Sequence, residues 1–252
     1  MNHLLKYTLR LGDNALILGQ RMSEWCGHGP FLEEDIAMAN SALDYVGRAR
    51  LLYTYAASID SVKGRDEDFY AFRRDEAEFE NLQICELPNG DYAFTILRQF
   101  LFDHYCVLVY RALSRFDKQS DQLPGLAAKI VKESSFHLAR STKWVQRLGL
   151  GTIESHQRMK RALEELWGYT REFFDYDETD RSMVSIGACP EKEKLRFDWS
   201  NLVEKVLCEV SLKLPESKWE ANGGRQGVHT EHMGKLLAEM QVLQRRYPSL
   251  SW

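Results

Sequence analysis

KIVKESSFHLARSTKWVQRLG, residues 129–149, is the stretch whose reading decides the fold. Its apolar positions recur at helical spacing, and the run reads as one buried helix. Residues three and four apart stack on a helix, so Glu133 and Ser134 both neighbour His137. A carboxylate three residues before a histidine is how helical bundles present ligands to a pair of iron ions. Here the position three before His137 holds Ser134, and Glu133 comes one residue too early. The stretch reads as a metal-site helix that has lost its carboxylate.

Working outward, long helical patterns cover residues 5–27, 32–58, 92–115 and 126–148, and form the core of an all-α bundle. On the second of these, Ile36, Ala39, Leu43 and Val46 share one face, which the period marks as the core face. His28-Gly29-Pro30 ends the first, and Leu87-Pro88-Asn89-Gly90-Asp91 is a turn that opens the third. Accessory helices follow at about 153–176, 197–212 and 230–247. The last has Met233, Leu236, Leu237, Met240 and Leu243 on its inner face. Residues 59–79 are charged and aperiodic, and read as a solvent-facing connection with a short helix. Residues 177–194 read as a loop. Strand signals are nearly absent, and no internal repeat stands out.

The 252 residues, 44% hydrophobic and 28% charged, suit a soluble globular chain that can bury a full core. The sequence is read as one domain. A net charge of -4 gives no electrostatic case for nucleic acid. No run of about 18 apolar residues exists, which excludes a membrane span. Lys6, Arg10 and Asp13 break the N-terminal stretch, so it does not read as a signal peptide. The five cysteines are scattered with no C-x-x-C, as expected for reduced, buried thiols of a cytoplasmic protein.

Five segments carry a resemblance: LRLGDNALILGQRMSEWCGHGP, ALDYVGRARLLYTYAA, FENLQICELPNGDYAFTILRQF, KESSFHLARSTKWVQRLG and GGRQGVHTEHMGKLLAEMQVL. In this order they resemble the C subunits of bacterial phenylacetyl-CoA epoxidases, which are multicomponent oxygenases. GGRQGVHTEH and ELPNGDYA are the specific parts, since neither is a general feature of helical bundles. The resemblance implies a ferritin-like four-helix bundle with additional C-terminal helices. It also implies a structural, non-catalytic role beside a homologous A subunit that carries the di-iron centre, together with the other subunits of the epoxidase complex. A chain of this kind expressed alone is expected to self-associate.

The residues bear on the non-catalytic expectation directly. A carboxylate-bridged di-iron site takes a glutamate from each of two helices and a Glu-x-x-His pair from each of two others. On the second helix the pattern of the active relatives falls on Tyr45-Val46-Gly47-Arg48. Tyr45 replaces the carboxylate, and Arg48 places a fixed cation where an imidazole would stand. The first helix offers only Ala15 or Leu16. Asp103, Ser134 and His137 are the remaining positions of this vestigial site, and two good ligands of six do not hold iron. The chain is therefore expected to bind no metal and no cofactor of its own and to supply no catalytic residue.

The alternatives are a mononuclear metal site built from Glu133, His137 and Asp103, or a free-standing helical binding or regulatory protein. His229 and His232, with Glu231 and Glu239 nearby, form a weak zinc pattern or simply the start of the last helix. His104 reads as a packing histidine. Arg158, Lys160 and Arg161, with Lys143 and Arg147, read as a solvated basic face or a contact for a CoA phosphate. Trp25, Trp167, Trp219 and Trp252 are aromatic candidates for interface anchors.

Overall fold

The computed structural model describes residues 2–116, 122–217 and 219–248. Among these the chain is all helix with no strand, consistent with a ferritin-like helical fold. The order is α1 (His3–Ser23), α2 (Leu32–Ile59), α3 (Glu67–Phe72), α4 (Tyr92–Leu113), α5 (Leu123–Gly149), α6 (Ile153–Leu166), α7 (Glu178–Ser185), α8 (Lys192–Glu209) and α9 (Met233–Arg246). Two compact units result, residues 1–88 with 222–252 and residues 89–221.

In the first unit α1 and α2 run antiparallel. Gly12 sits under the Tyr53 ring, and Gly19 sits against Tyr45 and Val46. These glycines let the two backbones approach: a Cβ at Gly12 would lie 2.5 Å from Tyr53 Cε1. The buried face of α2 is Met38, Ala42, Tyr45, Ala49, Leu52, Tyr53 and Ala56. This reverses the face read from the sequence, because Ile36, Leu43 and Val46 are exposed. Alanine and tyrosine line the inner side, so the most hydrophobic stripe of the helix is not its core stripe.

Segment 73–88 is not the solvent-facing connection expected of its charge. Tyr70, Arg74, Phe79 and Leu82 are all buried. Its non-helical backbone needs partners, and side chains of α1 supply them. Asn14 accepts from the Leu82 amide at 2.7 Å, Asp13 accepts from the Glu80 amide at 2.9 Å, and Arg21 donates to the Glu86 carbonyl at 2.8 Å. The short helix read into this region is α3, capped by Asp66, which accepts from the Phe69 amide. The final helix returns to the same place. Gln241 is buried and donates to the Ala71 and Arg74 carbonyls, whereas Leu243 is half exposed.

In the second unit α4 is buried on nearly every side, and Asp91 caps it by accepting from the Phe94 amide at 2.9 Å. Helix α5 is amphipathic rather than wholly buried. Ala127, Ile130, Ser134, His137, Ser141 and Val145 form its inner stripe, the i, i+3, i+4, i+7 pattern of a half-buried helix. The fifth predicted helix divides: α6 stops at Leu166 and Trp167–Phe174 continues as 3-10 turns. Trp167 and Phe173 pack against Trp199 of α8 there, and the Trp199 indole donates to the Leu101 carbonyl at 3.0 Å. Residues 177–194, read as a loop, contain α7, whose Asp177 cap accepts from the Thr179 and Asp180 amides.

Candidate functional site

The vestigial metal positions can be placed one at a time. On α2, Tyr45 and Arg48 are fully buried, at 0% and 1% exposure. The Arg48 guanidinium lies 4.6 Å from the centroid of the Tyr45 ring, a cation–π contact. On α1, Ala15 and Leu16 are buried apolar side chains. In the second unit, Asp103 on α4 and Ser134 and His137 on α5 are buried. Ser141, which the sequence did not single out, reaches from α5 to within 3.4 Å of the Asp103 carboxylate.

Measured against a di-iron centre, this donor set does not fit. Iron needs carboxylate oxygens completed by imidazole. Helix α2 turns inward a phenol and a permanent cation, and α1 turns inward hydrocarbon. The mononuclear alternative does not assemble either. Among the described residues no three His, Cys, Asp or Glu side chains converge as a metal ion requires, and Glu133 is engaged by Lys129 at 3.8 Å.

The most developed polar constellation lies elsewhere, in the first unit. Asp13, with no solvent exposure, accepts from the Tyr53 hydroxyl at 2.6 Å, from both terminal nitrogens of Arg74 and from the Glu80 amide. Arg74 also donates to the Tyr70 and Glu78 carbonyls and stacks on Phe79, 4.1 Å from the ring centroid. Burial alone would lower the Arg74 pKa, but the Asp13 carboxylate more than reverses this and holds it above its ordinary value. Burial, and then Asp13, push the Tyr53 phenol well above its usual range. A charged residue inside the apolar run LRLGDNALILG was the available signal for Asp13, since buried charges occur paired.

A second constellation joins the two motifs that marked the resemblance. Glu86, from ELPNG, is fully buried and accepts from His229 Nδ1 at 2.6 Å and from Asn81 Nδ2 at 2.8 Å. Its other oxygen accepts from the Thr230 amide and hydroxyl, both at 2.8 Å. On the far side of the ring, His229 Nε2 lies 3.0 Å from the Phe79 carbonyl, an acceptor only. Both ring nitrogens therefore face acceptors, which is the environment of an imidazolium. Burial alone would lower the His229 pKa; the Glu86 hydrogen bond and charge, with Phe79 and Glu76, bring it above the ordinary value.

This disposes of the zinc reading at His229 and His232. A histidine whose two nitrogens both serve as donors has no lone pair for a metal, and His232 is partly exposed beside Glu231. The loop that delivers His229 depends on glycine. Gly223 and Gly227 have φ of 95 and 75°, and a Cβ on Gly227 would fall 2.3 Å from the Ala77 carbonyl oxygen. His104 is buried and neutral, its ring edge-on to Phe100 at 4.8 Å and its pKa pushed down to about 4 by burial.

The remaining candidates resolve into ordinary surface and packing roles. Arg158 pairs with Glu154 at 2.5 Å and Asp91 at 3.3 Å, and Arg147 lies over the Trp144 ring. Trp219 packs on Tyr169 and over Gly168, and Trp25 is partly exposed. Trp252 lies outside the described residues. Cys85, Cys106 and Cys189 are buried as expected, but Cys26 and Cys208 are exposed; all five are free. No described helix is long and apolar enough to cross a membrane.

Comparison with known proteins gives this geometry its context. The family model described as "Phenylacetic acid catabolic protein" matches residues 1–252. The chain is 45% identical over 252 residues to the C subunit of the 1,2-phenylacetyl-CoA epoxidase of Escherichia coli (strain K12), covering 100% of both chains. With match and motifs both running the whole length, the chain belongs to the phenylacetic acid catabolic protein family.

Proposed function

We propose that this chain is a non-catalytic structural subunit of a multicomponent phenylacetyl-CoA epoxidase, acting in the cytoplasm in aerobic phenylacetate degradation. It pairs with a homologous A subunit that holds the di-iron centre, binds no metal itself and contributes no catalytic residue. The observation that carries this reading is the buried pair Tyr45 and Arg48 on α2. A guanidinium keeps its charge at any physiological pH and repels a metal cation. Whole-length likeness to the C subunit of such an epoxidase supports the assignment, and five free thiols suit a reducing compartment.

What the chain contributes in this reading is fold and surface. Asp13–Arg74 and Glu86–His229 fix the first unit internally, and the face of α2 left apolar suits contact with another protein. Reconstitution tests it. Epoxidation of phenylacetyl-CoA by the A subunit and the other components should require this chain, and the two should co-purify as a stable complex. Full activity with this chain omitted would overturn the proposal.

A further inference from the structure

The exposed stripe of α2 repeats with a coiled-coil period. Leu32, Ile36, Ala39, Leu43, Val46 and Arg50 follow one another at alternating intervals of four and three residues, the seam a helix presents to another helix. Leu32 is 70% exposed, Leu43 69%, Ile36 51% and Val46 42%. Eighteen residues of seam run roughly 27 Å. A soluble surface seldom leaves so long an apolar row bare unless another protein covers it.

Self-complementarity identifies what covers it. From this face we infer that two copies of the chain dock α2 against α2, antiparallel about a two-fold axis. Gly47 leaves a notch in the seam, for a Cβ built there meets nothing within 4 Å. With Ile36 of one copy set into that notch of the other, Asn40 faces Leu43, and Glu33 faces Arg50. The acidic first turn of α2, Glu33, Glu34 and Asp35, thus meets the exposed Arg50 near the other end. Each contact occurs twice, as an isologous interface requires. A parallel arrangement would set the acidic turns side by side and leave both copies of Arg50 together, which like charges disfavour. The inference rests on α2 alone and does not depend on the proposed epoxidase role.

Sedimentation equilibrium of the full chain by itself tests the pairing. The expected mass is twice the 29.3 kDa of one chain. Leu43→Arg and Ile36→Glu lie at exposed positions, so each should return the mass to one chain with an unchanged helical circular dichroism spectrum. A second measurement fixes the register. With Cys26 and Cys208 changed to serine, the Ile36→Cys/Gly47→Cys double variant should form a covalent dimer on oxidation, and neither single cysteine should. The two positions lie roughly 16 Å apart along one helix, too far to bridge within one chain. A single-chain mass at every concentration, a dimer that Leu43→Arg leaves intact, or no cross-link in the double variant would overturn the inference.

Discussion

His229 and His104 pull the pH dependence of stability in opposite directions. The folded pKa of His229 is raised, so its contribution is fully present below the unfolded value near 6.5 and is lost as pH rises through the folded one. His104 is depressed to about 4. Its neutral burial costs nothing above about 6.5, and stability is lost as pH falls from there toward 4, by on the order of 3 kcal/mol. Denaturant unfolding across pH checks both. His104→Leu should flatten the acid limb, and His229→Leu should flatten the alkaline limb while lowering stability at neutral pH. Leaving Glu86 buried and unpaired costs roughly 3–5 kcal/mol, and replacing Glu86 together with His229 by apolar residues should cost less. Asp13→Leu should be as damaging as the His229 change, since it strands the Arg74 guanidinium.

At the scale of elements, the glycine positions say how tightly α1 and α2 are locked. The Tyr53 ring that crosses Gly12 cannot swing away freely, because its hydroxyl is held by Asp13 at 2.6 Å. Gly12→Ala should therefore lose stability by about 1–3 kcal/mol, as overpacking does, despite the better helix propensity of alanine. A thermal melt no lower than that of the parent would count against this packing. The helices themselves were legible in the sequence. Residues 32–58 and 92–115 correspond to α2, Leu32–Ile59, and α4, Tyr92–Leu113. What periodicity could not reveal was the inward face of α2, because a seam for another protein carries the same repeat as a core stripe. Helix α7 was missed in a polar stretch although Asp177 and Asp180 form a capping box. The ordered course of residues 73–88 was hidden for a different reason: its backbone is satisfied by α1 side chains distant in sequence.

For the whole molecule, the family was readable from motifs, but the physical reason for them was not. Glu86 and His229 are 143 residues apart, and no spacing rule joins them; their pairing explains why ELPNG and GGRQGVHTEH occur together in one chain. The vestigial metal positions were readable because Tyr45, Arg48 and Ser134 differ in chemistry from the ligands that would stand there. Ser141 beside Asp103 was not, as nothing about a lone serine marks it. The central claim is that this chain supports an oxygenase without holding its metal. Elemental analysis of the chain purified alone, after anaerobic incubation with excess ferrous iron and desalting, tests it most directly. The account predicts far less than one iron per chain and no oxidised di-iron absorption band on exposure to air. About two irons per chain, the complement of a full carboxylate-bridged site, would contradict it.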